Sequence, residues 1–394
     1  MANNFKQSLH PNGYKALEHL MLNQGNSRQK LEQHVRKQYE WIAERQEARL
    51  EQSQQPRKPY SQRIAQHRVN DQRNRYMDII PFDSNRVILG RSDLGPSGHP
   101  GDDYINASWI EFNTDDTTTT RKRYIATQGP LSSTCGDFWR MVLEQHVKVI
   151  VCLTPEVEKG RVKCAAYWPE GNDDVKQFEQ RQQQQHQQQP RQQSVQHHSF
   201  INHFLSSKRS SSDKATTFTD SINDSSPGRW LIKVQNIQPE QLDREAACIL
   251  RQIQVSCYYQ PPDSKEMKEM ATSVVHQLHY LGWADHGIPQ ETETLLALVR
   301  LANQLQPTTD TPPMVVHCSA GCGRTGTFCV VDTGIEWLGK LKQQDQGTDQ
   351  MAPQLIDPIF QMTDAFRKQR TTMVQTPAQY MFCYLAIWDR LKQL

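Results

Sequence analysis

The run MVVHCSAGCGRTGTF, residues 314–328, constrains this chain more than any other stretch of it. Three apolar residues, Met314 to Val316, read as the end of a buried strand, and His317 and Cys318 stand where that strand stops. A loop of small residues, Ser319, Ala320, Gly321, Cys322 and Gly323, then leads to Arg324, Thr325 and a helical run. The two glycines let backbone N–H groups turn inward and converge on an anion, and the next helix opens with its positive end at the same spot. A thiol in such a cradle is activated, because helix N-termini and nearby cations favour the thiolate. Cys318, followed by five residues and then Arg324, adds a planar fork that can hold two oxygens of a tetrahedral dianion while sulfur attacks its centre. Phosphate monoesters meet that description. Taken alone, Cys318 would read as an inert core thiol, since free cysteines are among the most buried residue types.

As a string, HCSAGCGRTG resembles the signature loop of the protein tyrosine phosphatases. The resemblance is to the non-receptor, phosphotyrosine-specific, fungal-like type, and it spreads beyond this loop. RNRYMDIIPFDSNRVIL (73–89) and DYINASWI (103–110) also resemble the family. In the family the first supplies a pocket wall, with Tyr76 and Asp78 at the matching positions. An aromatic rim can sandwich a phenyl ring, and its height excludes the shorter phosphoserine. Asp78 would accept backbone N–H bonds from a bound peptide. EVEKGRVKCAAYWPE (156–170) places Glu158 and Lys159 on a loop before a strand, and the family pairs this glutamate with the signature arginine, Arg324. LGWADHGIP (281–289) resembles the mobile acid loop, with Trp283 as hinge and Asp285 as acid. Ala284 stands where proline is expected; the freed φ angle raises the cost of loop closure by roughly 0.4–1 kcal/mol. VQTPAQY (374–380) supplies Gln375 and Gln379, matching the two glutamines that hold the hydrolytic water, and Thr376 and Gln379 fit a capping box.

The resemblance implies an α/β (α+β) fold: a twisted mixed sheet flanked by helices, with a leader over 1–60 and a catalytic domain over 61–394. A low-complexity insertion, 171–228, interrupts that domain. It implies a metal-independent phosphatase without cofactors that forms a phosphocysteine on Cys318. Thr325 would donate to the sulfur and His317 would orient the loop. Cys322 reads as a small loop filler, with a redox partnership to Cys318 as the alternative. Two rival functions remain open, a phosphotyrosine trap with weak turnover and a dual-specificity or lipid phosphatase; Tyr76 and its segment oppose the second. Expected partners are phosphotyrosine proteins, MAP kinases among them.

Composition adds exclusions. A net charge of +2 on 394 residues does not call for nucleic acid. Nine scattered cysteines, an odd number without a CxxC pair, argue against a disulfide framework or zinc site. The opening MANNFKQSLH lacks the pattern of a signal peptide, and no apolar run approaches the ~18 residues of a membrane span. A monomer in the cytoplasm, with the nucleus also compatible, is expected.

Along the chain, residues 1–26 show no clear period and read as a loose leader. From 27 to about 52, Leu31, Val35, Tyr39, Ile42 and Leu50 recur at helical steps with one polar gap, predicting an amphipathic docking helix. Twelve Lys or Arg against six acids between Ser27 and Arg75 read as a solvated face rather than a contact for an acidic partner. A helix is predicted over 134–145, and the apolar run 147–153 fits a strand buried on both faces. Twelve glutamines in the twenty residues 177–196 carry too little apolar surface to offset ordering, which defines the insertion. Strands at 230–237, 249–259 and 274–283 alternate as an antiparallel part of the sheet does. Helices are predicted over 293–306, 325 to about 341, from Asp357-Pro358 through 367, and from Pro377 onward.

Overall fold

The computed structural model describes residues 13–23, 28–53, 58–90, 102–112, 122–171, 174–179, 228–283, 287–307, 312–344 and 357–394. Two helices lead, α1 (Gly13–Asn23) and α2 (Arg28–Leu50). Strands β1 (Arg86–Ile88), β2 (Tyr104–Glu111) and β3 (Arg123–Thr127) follow, then α3 (Cys135–Glu144), β4 (Val149–Cys152) and a hairpin of β5 (Val157–Glu158) and β6 (Arg161–Val162). Next come β7 (Val175–Glu179), β8 (Arg229–Asn236), β9 (Gln241–Asp243), β10 (Cys248–Gln260) and β11 (Lys268–Tyr280). The remaining elements are α4 (Thr292–Leu305), β12 (Met314–His317), α5 (Gly323–Gln344), α6 (Pro358–Arg367) and α7 (Pro377–Lys392).

Ten strands form one mixed sheet in the order β1-β2-β3-β12-β4-β11-β10-β8-β7, with β9 on β10. Its centre is parallel, β12 lying between β3 and β4, and β11 joins β4 in the same sense. The flanks are antiparallel. A strand buried on both faces must be apolar throughout, and β4 and β12 are buried at every residue. Their alternation sorts two cores. Met314, Val316, Val149 and Val151 face the layer of α4, α5, α6 and α7, whereas Val315, Ile150 and Cys152 face α3 through Phe138, Met141 and Val142.

The twisted mixed sheet flanked by helices is the architecture the sequence predicts, and two local expectations need correction. Residues 1–26 are not wholly a loose leader, because α1 buries Tyr14, Ala16, Leu17 and Leu20 and joins the core around α5. Residues 171–228 are not wholly an insertion, because β7 pairs with β8 at the sheet edge, Phe178 opposite Ile232; residues 180–227 lie outside the described ones. Strand alternation there was hidden by glutamine-rich composition.

Helix α5 approaches the loop before α7 closely at Gly326, whose N–H donates to Cys322 O at 2.7 Å. A Cβ on Gly326 would lie 2.3 Å from Val374 N and 2.8 Å from Met373 C. Gly326→Ala must therefore move backbone, and is expected to destabilise the fold by about 1–3 kcal/mol. An unchanged urea midpoint would contradict that close approach.

Candidate active site

At the end of β12, His317 lies level with Thr127 of β3 and Cys152 of β4, so three loops leave the sheet together. The crevice beyond the carboxyl ends of parallel strands is where such sheets bind ligands. Leu153 N–H donates to His317 O at 2.8 Å and Gly129 N–H to Ser319 O at 2.9 Å, which ties the three loops to one another.

Gly321 turns the nucleophile loop with φ +72°, and any Cβ there would lie 2.1 Å from Thr127 O. Its N–H donates to Cys318 Sγ at 3.3 Å. Two carbonyls of the loop face the other way, Gly321 O accepting from Arg370 Nε at 2.7 Å and Ala320 O from Arg370 Nη2 at 3.0 Å. In a planar trans peptide the N–H opposes the C=O. Drawing these carbonyls out therefore turns the amides of Gly321 and Cys322 in. Arg370 is fully buried and also donates to Asn106 Oδ1 at 2.8 Å and Ser108 Oγ at 3.1 Å; burial lowers its pKa from the ordinary arginine value.

Cys318 is 5% exposed at the floor of this loop. Burial pushes the neighbouring Cys322 and Cys152 thiols up to about 12, so neither competes as a nucleophile at neutral pH. His317 Nδ1 lies 3.2 Å from Cys318 O, and a carbonyl only accepts, so Nδ1 carries the proton. Nε2 then accepts from Tyr167 OH at 2.7 Å. Burial holds the His317 pKa down at about 3, so the ring is neutral and holds the Cys318 carbonyl without lending charge to the sulfur. Thr325 Oγ1 is buried and, among the described residues, has no hydrogen-bond partner. The sulfur's hydrogen bond comes from Gly321 instead.

Arg324 Nη1 donates to Leu153 O at 3.2 Å, Thr154 Oγ1 at 3.3 Å and Glu158. The structure thus brings Glu158 to Arg324, as expected. It does so on the β5–β6 hairpin, whose turn residues Lys159 and Gly160 take φ of 49° and 71°, as primed two-residue turns require. All these bonds use one nitrogen. Among the described residues, the Nε and Nη2 edge of the fork is left for a ligand. Trp283 places its ring 5.9 Å from the guanidinium carbon, and its indole N–H donates to Gly287 O at 2.8 Å. Ala284, Asp285 and His286 lie outside the described residues.

Ser319 Oγ donates to Lys163 O at 3.0 Å, so Tyr76 OH, at 2.9 Å, donates to Ser319 Oγ. Tyr76 therefore stands at the loop, and Asp78 and Lys159 are exposed. On the opposite side, Gln375 and Gln379 crowd Gly323, where a Cβ would lie 3.0 Å from both Gln375 Cβ and Gln379 Oε1. Thr376 caps α7 by accepting from Gln379 N–H at 3.1 Å. The reciprocal bond of a capping box is displaced by one residue, since Gln379 Oε1 accepts from Gln375 N–H at 2.9 Å rather than from Thr376. That shift fixes the two glutamines to each other.

Sequence reasoning missed Arg370, Tyr167, Thr154 and the Arg75–Gln128 pair. Arg75 holds the segment of Tyr76 in place: its N–H donates to Gln128 Oε1 at 2.8 Å, and its guanidinium to Gly129 O at 3.0 Å and Pro130 O at 2.8 Å. Nothing in RKQR marks Arg370 as buried; only the fold brings it under the loop.

The family model described as protein-tyrosine phosphatase matches residues 70–221 and 223–389. Protein-tyrosine-phosphatase PTP1 of Arabidopsis thaliana is 32% identical over 333 residues, which span 84% of this chain and 74% of that protein. Receptor-type tyrosine-protein phosphatase F of Homo sapiens is 31% identical over 321 residues, 82% of this chain but only 12% of the receptor. A solved structure addressing the PTPN18 fingerprint on distinct HER2 tyrosine phosphorylation sites matches with TM-score 0.60 and 27% identity, covering 91% of this chain and 95% of that one.

The buried histidines set a pH dependence. His279, behind the site, donates from Nε2 to Thr154 O at 3.1 Å, and its pKa is held at about 4 by burial and by Arg251. Both His279 and His317 have folded pKa values below the unfolded ~6.5. The unfolded chain therefore binds more protons below that pH, and stability present above it is lost as the pH falls. Between pH 7 and 5 each should cost about 2 kcal/mol. Urea titrations across this window should show a shallower loss of stability in His317→Asn; an unchanged slope would contradict a buried neutral ring.

Proposed function

This chain belongs to the protein-tyrosine phosphatase family, and we propose that it hydrolyses phosphotyrosine in signalling proteins with Cys318 as the nucleophile and Asp285 as the acid. The observation that carries the assignment is the pairing of Cys318 with an inward amide of Gly321 and with an Arg324 fork whose outer edge is left open.

In the first step the Cys318 thiolate attacks phosphorus as the bond to the phenol oxygen breaks. Arg324 and the amides of Ser319 to Gly323 take up charge on the equatorial oxygens, and protonated Asp285 gives its proton to the leaving oxygen. The product is a phosphocysteine and a free tyrosine. In the second step Asp285 takes a proton from a water held by Gln375 and Gln379; that water attacks phosphorus, and the thiolate leaves with its electron pair. Thr325, whose buried hydroxyl has no partner among the described residues, is available to solvate the returning thiolate. Positive charge at the phosphate comes from arginine and backbone amides, which is why neither metal nor cofactor enters the scheme. Glu158 holds Arg324, Tyr76 sets the depth of the pocket, Asp78 fixes the peptide, and Lys159 and Trp283 sit at its edge.

Tyr76 favours this function over a dual-specificity or lipid phosphatase, because its bond to Ser319 sets an aromatic wall over the loop that a short phosphothreonine would not span. The intact triad of Cys318, Arg324 and Asp285 favours turnover over trapping. MAP kinases are included among the substrates because the glutamine-rich run and basic N-terminal segment resemble those of fungal signalling phosphatases. A monomer in the cytoplasm or nucleus completes the proposal; among the described residues, no helix is long and apolar enough to cross a membrane.

Purified chain should turn over a phosphotyrosine peptide with a bell-shaped profile across about pH 5 to 8, and a matched phosphothreonine peptide far more slowly. Cys318→Ser should abolish turnover, and Asp285→Ala should lower kcat by about 10²–10⁴-fold. A wild type as slow as Asp285→Ala that still binds the peptide would instead make the chain a phosphotyrosine trap.

A further inference from the structure

The polar gap in the apolar stripe of α2 is not a solvated interruption. Tyr39, Ile42, Gln46 and Arg49 follow one another at steps of three and four and so share a face. Ile42 and Arg49 are buried, and Tyr39 and Gln46 half-buried. Arg49 bonds to α6 itself, and Gln46 and Tyr39 bond to the stretch between α6 and Gln375. Arg49 Nη2 donates to Asp364 Oδ1 at 2.5 Å. Gln46 Oε1 accepts from Thr372 N–H at 2.7 Å, and its Nε2 donates to Thr372 Oγ1 at 3.4 Å. Tyr39 OH donates to the carbonyl of Gln375.

The stretch they hold is an unfavourable one. Thr372 and Val374, both β-branched, take φ of 61° and 59°, a region such side chains avoid unless the surroundings over-determine it. It has no helix or sheet ladder of its own. Arg367 donates to Met373 O at 2.9 Å and Val374 O at 2.7 Å with its guanidinium 4.9 Å from the Tyr39 ring, and Val374 N–H donates to Cys322 O at 3.3 Å. The bonds from Gln46 and Tyr39 fall at Thr372 and at the Gln375 carbonyl. Gln375 then leans on Gly323 and is tied to Gln379.

We propose that Tyr39 and Gln46 are positioning residues for the second half-reaction, through which α2 fixes the glutamines over the nucleophile loop. This rests on the assignment of Gln375 and Gln379 to the attacking water. Among the described residues, the hydrogen bonds of Cys318 and Arg324 go to Gly321, Leu153, Thr154 and Glu158 and not to α2. Loosening α2 should therefore slow hydrolysis of the phosphocysteine and spare its formation. A misplacement of about 1 Å can cost a reaction step up to ~10²-fold.

The test uses the full chain with para-nitrophenyl phosphate in stopped flow, comparing wild type, Tyr39→Phe, Gln46→Ala and Gln46→Glu. Tyr39→Phe keeps the ring against Arg367 and Tyr380, and Gln46→Glu keeps the acceptor for Thr372 N–H. For Tyr39→Phe and Gln46→Ala we expect kcat down ~10-fold or more, kcat/KM within about two-fold of wild type, and a stoichiometric burst of nitrophenolate. Gln46→Glu should recover most of kcat, and acid quench should show phosphoprotein accumulating in the two slow variants. A parallel fall of kcat and kcat/KM, or an unchanged kcat in both variants of an active enzyme, would overturn the inference. A wild type that releases no nitrophenolate would instead overturn the phosphatase assignment on which it rests.

Discussion

A fully buried guanidinium that, among the described residues, hydrogen-bonds to no carboxylate holds the site together. Arg370 donates to two loop carbonyls, an asparagine and a serine, so its hydrogen bonds all go to neutral dipoles. Burying a charge without such partners would be prohibitive. The same bonds decide where the loop amides point, because carbonyl and amide of one peptide face opposite ways. A positive centre behind the loop thus orients backbone dipoles in front of it. Arg324, approached from the far side by Glu158 and Thr154, completes the field.

Sheet topology makes this arrangement reachable. With β12 between two parallel neighbours, the loops after β3, β4 and β12 emerge at one edge, and each contributes a wall: Gln128 and Gly129, Leu153 and Thr154, and the nucleophile loop itself. Antiparallel strands outside the centre extend the platform without intruding on it. Helix α5 starts at the loop, so its unbonded N–H groups face the same space that the amides do. The last layer is α6, the strained stretch to Gln375 and α7, and α1 and α2 pack against it. Chain segments far apart in sequence therefore meet at one loop, each through backbone atoms that a sequence does not distinguish.

That explains what could be read in advance. Cys318, Arg324, Glu158, Tyr76 and the glutamines carry side chains whose chemistry is visible in a string, and the string around them is specific. Strands β4 and β12 were legible because burial on both faces leaves them apolar up to His317, the last residue of β12. Arg370, Gln46 and Arg49 were not, since a polar residue on a helix or before a turn ordinarily faces water, and only the tertiary fold turns these inward. The pattern in α1 is short, and β7 sits where composition argued against order, so pairing at the sheet edge overrode local preference. Gly321 shows the converse: its amide donates to the sulfur, a bond that no side chain in the string announces.

The central claim is that Arg370, out of reach of any substrate, builds the anion cradle by orienting loop peptides. Calorimetric titration of tungstate, a tetrahedral dianion that needs no chemistry, into wild type and Arg370→Met measures it most directly. Binding at least ~10-fold weaker is expected in the variant, the scale on which one or two charge-assisted bonds are lost, with the fold retained by circular dichroism. Equal affinity in a folded Arg370→Met protein would contradict it, and would place the orientation of the loop in Gly321 and the strand register alone.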